Sequence, residues 1–544
     1  MRKAIAFFTL SAMMLSLCAT ASAAEIDSIP SGAYTEAAIV AADYEEVGGT
    51  LEPTGALPSS YSSAALNLTT PVRNQRFNTC WAYSSTAAME TRLLKDGLSS
   101  RHLSPMHMNY WGCVTDQGTG WQRTYSAAGY PYIALGYMTS YGVNTDSVFD
   151  QNKDFSDYQA QKDSLYPYKS VDSVVYLDTS DRDTVKTAIY TYGAAVGNFH
   201  YSGTYASSGT VAYYCDQEGI ATAQLNGHAV EIVGWDDSYS RENFNSDHRP
   251  AANGAWLCKN SWGTGSGENG YFWISYEDIY LFDSRFGPSY SISGCTDMTA
   301  ITKIQQNEIY GATYQFDYVG KLRPNQNKMT YVNVLDFSDG YHNIDKVVFE
   351  STAQGSAYTV YYIPLSGSGV PVTDTDRWML LAQGTIDHEG YVSAKVYGFD
   401  APKEKGAIGV QIEKKSSGGG ISIGVDEWLR ANSSYLFKPD SQRGQSYLIG
   451  YTTNPMDLMD FYKNKMSDEI GGTFVIKAVC HSDDIVGDVD RDGDFAIIDV
   501  TYSQRYQALM IDLSDEQKRF ADYNNDGEIE MIDCTLMQRD LIYQ

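Results

Sequence analysis

The sequence is short of positive charge: 39 Lys and Arg stand against 67 Asp and Glu, a net charge of -28 over 544 residues. That deficit argues against nucleic acid and anionic membrane surfaces as partners, since both would be repelled. Beyond the first residues no run of about 20 uncharged apolar residues occurs, so no membrane span is expected. Low-complexity tracts are missing too. With 43% hydrophobic and 13% aromatic residues, 43 of them Tyr, the chain is expected to fold into globular units. Its length exceeds one hydrophobic core, and two to four domains are expected. Cysteine is scarce, with 8 residues, and no pair has the close spacing of a zinc ribbon or a redox motif. Without Cys18 the count is odd, which in an exported chain points to a free thiol.

What is present begins with a leader. Arg2 and Lys3 precede an apolar run, Ala4 to Cys18, and Ala21-Ser22-Ala23 supplies small residues for cleavage. Residues 1–23 therefore read as a secretory signal peptide, and the protein is expected to be secreted and extracellular. Residues 24–56 form a small, polar tail. Residues 57–298 mix helix-like and strand-like patterns. Residues 304–480 are almost all strand-like, with β-rich runs such as Tyr331 to Phe337, Ala357 to Ile363 and Ala407 to Ile412 separated by Gly, Ser, Asp and Pro, the rhythm of an antiparallel sandwich. Residues 485–544 carry a repeat. The fold class expected is α+β and multidomain.

Chemistry enters at Gln75-Arg-Phe-Asn-Thr-Cys80-Trp-Ala. The stretch from Cys80 to Leu94 has no Gly or Pro and is expected to be a helix with Cys80 at its N-terminus. Unpaired N–H groups and the helix dipole there favour a thiolate, the attacking form of the sulfur. Alone, this Cys reads equally well as a buried inert thiol. Two further segments change the balance. Leu225-Asn-Gly-His228-Ala-Val-Glu-Ile-Val-Gly-Trp235 reads as a strand beginning at His228, and Trp256-Leu-Cys-Lys-Asn260-Ser-Trp262-Gly as a strand entering a turn. A cysteine, then a His 148 residues later, then an Asn 32 residues beyond is an order suited to nucleophilic catalysis. His228 takes the thiol proton and later returns it to the leaving amine. The Asn260 oxygen holds the imidazole in place, and Gln75 with the Cys80 N–H faces the developing oxyanion.

These three segments, in this order, resemble the papain-like cysteine peptidase family over residues 57 to 285. The resemblance implies a two-lobed fold with Cys80 on a helical half and His228 and Asn260 on a β-rich half. It also implies that Trp262 shields the His–Asn bond and that Gly129 lines the substrate cleft; Leu103-Ser104 and Tyr166-Pro167-Tyr168 are weaker echoes. Two departures stand out: five steps separate Gln75 from Cys80 where the family has six, and Glu231 sits in a strand where the family is usually uncharged. By strand parity Glu231 faces away from His228 and reads as structural. The other histidines lack a motif context and read as surface or satisfied polar residues. The reaction implied is hydrolysis of peptide bonds in protein or peptide substrates, with no catalytic cofactor; a catalytically impaired binding subunit is the alternative. The β-rich stretch resembles the lectin-like domain that follows the peptidase in bacterial relatives, which leaves carbohydrate binding open.

At the C-terminus Asp488, Asp490, Asp492, Asp494 and Asp499 recur 34 residues later as Asp522, Asn524, Asp526, Glu528 and Asp533. Oxygen ligands at loop positions one, three, five and twelve, a backbone carbonyl at seven and Gly at six suit calcium, one ion per loop. Residues 485–544 carry 14 acidic and 5 basic residues, so this cluster would repel itself without cations. A helix-like segment follows each loop, with none before the first. The arrangement resembles a dockerin, which implies a cohesin module of a cellulosome scaffold as partner. By that resemblance Ile497, Ile498, Gln504 and Arg505 form one docking face, and Met531, Ile532, Gln538 and Arg539 the other.

Overall fold

A computed structural model describes residues 56–543 apart from intervening stretches, the longest being 147–168 and 282–297. The expected signal peptide and nearly all of the expected tail, Tyr166-Pro167-Tyr168, Cys295, Trp428 and the loop positions Asp492, Asp494 and Asp526 lie outside the described residues. The chain forms two compact units, divided near residue 484, and each is described by itself.

In the larger unit, helix α1 (Cys80–Lys95) starts at the nucleophile candidate, as expected, and buries one face among Trp81, Ala88, Met89 and Leu93. Helix α2 (Pro105–Trp111) is started by Ser104, whose Oγ accepts from the His107 N–H at 3.2 Å, with Pro105 in the first turn where no donor is missed. Helices α3 (Pro131–Ser140) and α4 (Arg182–Tyr192) follow among the described residues of this half. Its longer strands are β1 (Lys169–Tyr176), β2 (Ala195–Tyr201), β3 (Asn226–Asp236), β4 (Ala255–Lys259), β5 (Tyr271–Ser275) and β6 (Met298–Gln306). Strand β3 is read on both faces. Ala229 and Val233 pack toward α1, while Val230, Ile232 and Trp235 pack into a second core with Phe199, Trp256 and Phe272.

The β-rich region contributes β7 (Met329–Asp336), β8 (Asn343–Ser351), β9 (Ala357–Ile363), β10 (Met379–Thr385), β11 (Gly390–Lys395), β12 (Lys405–Glu413), β13 (Ser446–Ile449) and β14 (Ile476–His481). Antiparallel β10-β9-β12-β7-β13 form one sheet, and its apolar face packs across a shared core onto β8, β11 and β14. Val360, Ile408 and Val410 meet Val347, Phe349 and Ala478 there, so the expected sandwich is present.

The second sheet of that sandwich does not end at the domain boundary. It continues from β11 into β1, β6, β2, β3, β4 and β5 of the first half. The joint pairs Gly390 with Val175 and Tyr391 with Val174. At φ 136° a β-carbon on Gly390 would lie 2.0 Å from the Val174 carbonyl oxygen, so only glycine fits. Buried polar contacts reinforce the joint: Lys346 pairs with Asp172, Tyr176 donates to Glu350, and Lys477 Nζ donates to Thr139 Oγ1 at 2.8 Å. Asp172 stands at a β-bulge in β1, between Val171 and Ser173, which turns its side chain toward Lys346.

The smaller unit holds α5 (Ile497–Gln507), α6 (Asp515–Ala521) and α7 (Met531–Tyr543). Helices α5 and α7 pack together with Ser503 Oγ 3.8 Å from Met537 Sδ, two positions exactly one repeat apart.

Candidate active site

Cys80 opens α1, with Thr79 as the preceding cap residue. Burial, the larger effect, raises the pKa of Cys80, while nearby N–H groups, those of Ala229 and Trp81 foremost, favour its anion. The Ala229 contact matters for topology, because Ala229 adjoins His228. It brings the first turn of α1 against the start of β3.

His228 is buried, and burial pushes its pKa down to about 4 against the opposing bond from Asn260. Its Nε2 lies 2.9 Å from Asn260 Oδ1. The Ser261 N–H donates to the same oxygen at 2.8 Å, so the carboxamide turns its acceptor to the ring and Nε2 carries the proton. The Trp262 indole stacks on the imidazole with ring centres 4.4 Å apart, and Tyr201 meets Trp262 edge-on at 4.9 Å. Trp262 thus covers one face of the imidazole. Burial alone holds both Cys80 and His228 neutral. Any charge separation between them would draw on the helix dipole and the N–H groups near the sulfur.

The short Gln75-to-Cys80 segment is accommodated by Phe77, which adopts φ 61° and stays exposed beside Tyr125. That left-handed residue closes the loop with one residue fewer. Gln75 Nε2 donates to the Phe77 carbonyl at 2.9 Å, while its Oε1 accepts from Ser261 Oγ at 2.6 Å. An amide NH2 has two hydrogens, and that bond uses one. Gly129 packs against the face of Trp81, where a β-carbon would come within 2.5 Å of the indole. Arg123, stacked on Trp81, holds this stretch by donating to the carbonyls of Ala127 and Ala128.

A family model described as papain family cysteine protease matches residues 57–282. A lectin-like domain model matches 313–479, and a dockerin type I model matches 486–542. Among solved structures, the clostridial cysteine protease Cwp84 after propeptide cleavage is 32% identical with a TM-score of 0.67, covering 78% of this chain and 100% of that one. The chain belongs to the papain family of cysteine proteases. The cysteine protease and lectin-like domains of Cwp84, titled a surface layer associated protein of Clostridium difficile, are 31% identical with a TM-score of 0.68, covering 79% of this chain and 90% of that one. A cathepsin L-like protein of Caenorhabditis elegans is 28% identical over 220 residues, 38% of this chain and 56% of the relative. Cathepsin L2 of Homo sapiens is 26% identical over 230 residues, 40% and 61% respectively. The chain spans little more than half the length of these curated relatives. Lectin-like and dockerin domains follow the papain-family domain in the order read from the sequence.

In the dockerin domain, carboxylate oxygens of Asp488, Asp490 and Asp499 lie within 4.8 Å of one another. Asp499 accepts from the N–H groups of Asp490 at 3.0 Å and Ala496 at 2.8 Å. Asp533 repeats this one repeat later, accepting from Asn524 at 2.9 Å and Glu530 at 2.8 Å. A convergent set of hard oxygens fits a calcium ion. Ile497, Ile498 and Met531 are exposed, as are Arg505 and Arg539, while Ile532, Gln504 and Gln538 are half-buried. Helix α6, between the loops, was not anticipated. Its signal is the capping box Ser514-Asp-Glu-Gln517, in which Ser514 Oγ accepts from the Gln517 N–H and Gln517 Oε1 from the Ser514 N–H.

Proposed function

We propose that this chain is a secreted cysteine endopeptidase using Cys80, His228 and Asn260, attached to a cellulosome scaffold through its dockerin domain. The observation that carries the reading is the 2.9 Å bond of His228 to Asn260 beside Ala229, which shares a packed cluster with Cys80 at the start of α1. His228 accepts the thiol proton at Nδ1, since Nε2 is engaged with Asn260. The Cys80 thiolate attacks a peptide carbonyl carbon, and the oxyanion meets the Cys80 N–H and the second amide hydrogen of Gln75. His228 protonates the departing amine, and water then releases the acyl group from sulfur. Trp262 keeps the imidazole oriented throughout, and Gly129 lines the cleft.

Calcium in the dockerin loops would be held by Asp488, Asp490, Asp492, Asp494 and Asp499 in one and by Asp522, Asn524, Asp526, Glu528 and Asp533 in the other, and would neutralise their charge. The exposed Ile497, Ile498 and Met531 and the arginines near them suit a cohesin surface. Extracellular placement follows from the leader pattern at residues 1–23. The test is labelling with an epoxide thiol inhibitor together with a peptide-library digest, using Cys80→Ala as control. Labelling of Cys80 and cleavage lost in Cys80→Ala are expected. A folded protein with unlabelled Cys80 and no cleavage would favour a binding subunit.

A further inference from the structure

The chemistry above makes no use of a carboxylate buried at the back of the site. Glu231 is fully buried on β3, three residues beyond His228. We propose that Glu231 is a positioning residue that ties together the three elements delivering Cys80, His228 and Asn260, and so sets the approach of sulfur to imidazole. This rests on the Cys–His–Asn reading above.

Each element contributes one contact. Thr91 Oγ1, on α1, donates to Glu231 Oε1. Thr91 lies eleven residues after Cys80, about three helical turns, so the two side chains share a face of α1. Lys259 Nζ lies 3.3 Å from Glu231 Oε2, and Lys259 is both the cross-strand partner of Glu231 and the residue before Asn260. The same ammonium donates to Thr70 Oγ1 at 3.2 Å, while the neighbouring carboxylate of Glu90 is paired with Arg73. Glu231 is therefore the counter-charge of Lys259. One carboxylate thus stands on the His228 strand, holds the Cys80 helix and holds the Asn260 strand.

Packing does not do this alone. A cavity of about 20 Å³, room for about one water, remains where Ala229, Glu231, Lys259 and Asn260 face Ser84 and Ala87 of α1. Across a gap, directional polar contacts define the spacing of α1 and β3. The attraction between a thiolate and an imidazolium falls with their separation. Loosening the tie should therefore weaken the ion pair and raise the pH at which Cys80 becomes reactive.

The test compares the full chain with Thr91→Val, Glu231→Gln, the double variant and Cys80→Ala. Two quantities are read: kcat and KM on a peptide substrate, and the pH dependence of Cys80 alkylation by iodoacetamide, followed at that residue by mass spectrometry. Each single variant should lower kcat about tenfold with KM unchanged, and raise the alkylation midpoint by up to about one pH unit, a tenfold loss of thiolate at a fixed acid pH. The double variant should fall short of the sum of the two single effects, since the Thr91 contact acts only through Glu231. If folded Thr91→Val and Glu231→Gln keep the parent's midpoint, or their effects add, Glu231 is only a structural ion pair and the proposal fails while the triad stands. Should Glu231→Gln not fold, Thr91→Val, which removes one hydroxyl and keeps its shape, decides alone. Peptide hydrolysis persisting in Cys80→Ala would instead refute the Cys–His–Asn reading.

Discussion

Replacing Lys346 by Met tests how firmly the two halves of the larger unit are joined. Lys346 lies on β8 in the lectin-like domain, and Asp172 at the bulge of β1 in the papain-family domain; they are 6% and 1% exposed. Removing one partner of a buried pair strands the other charge, at a cost of about 3–5 kcal/mol. Asp172 Oδ2 has no hydrogen-bond partner to fall back on. Converting Asp172 to Asn in the same chain removes the stranded charge, and the double variant should return to within about 1–2 kcal/mol of the parent. Urea unfolding followed by tryptophan fluorescence gives these values, and peptidase activity along the same gradient shows whether the catalytic half fails in the same step. Lys346→Met should move both curves together. A variant within about 1 kcal/mol of the parent, or activity lost in a separate earlier transition, would refute the view that this pair locks the halves.

Two further outcomes follow from buried and clustered carboxylates. Burial pushes the Asp278 carboxyl up to about 7 although the Cys215 and Tyr280 N–H groups donate to it. The folded chain therefore keeps this proton up to about pH 7 while the unfolded chain releases it near 3.9, so this group's stabilising contribution is present below about pH 4 and is lost as pH rises to about 7. The Tm of Asp278→Asn, measured against the parent at several pH values, should gain on it across that window, and a constant difference would count against the assignment. In the dockerin domain, chelating calcium should collapse the helical circular dichroism of α5 and α7 while leaving peptide hydrolysis intact. Helix content unchanged in chelator would show that the acidic loops hold their shape unaided.

The site was legible in the sequence to the extent that each catalytic candidate belongs to a local pattern. Cys80 starts a Gly-free, Pro-free stretch, and that stretch is α1. His228 and Asn260 sit at the ends of strands that alternate recognisably, and those strands are β3 and β4. Strand parity also assigned Glu231 to the face away from His228, in keeping with its contact with Thr91 on α1. Its partners were not legible, because Thr91 lies 140 residues away and no periodicity encodes such a meeting. The left-handed turn at Phe77 was hidden for a related reason. A missing residue signals a changed loop without saying which residue absorbs it. The passage of one sheet from β11 into β1 was equally invisible, since alternation shows that a strand exists but not which edge it joins.

Strand β6 carries the chain away from the catalytic half, paired with β1 from Thr299 to Gln306 and with β2 at Met298 and Thr299. A peptidase cleft accepts its substrate as a single extended strand, stripped of neighbours. Main chain paired into a sheet cannot be presented in that form without parting from its neighbour. The stretch Met298–Gln306 is thus shielded from proteolysis, by this molecule or a neighbouring copy, and the enzyme cannot easily sever its own halves there.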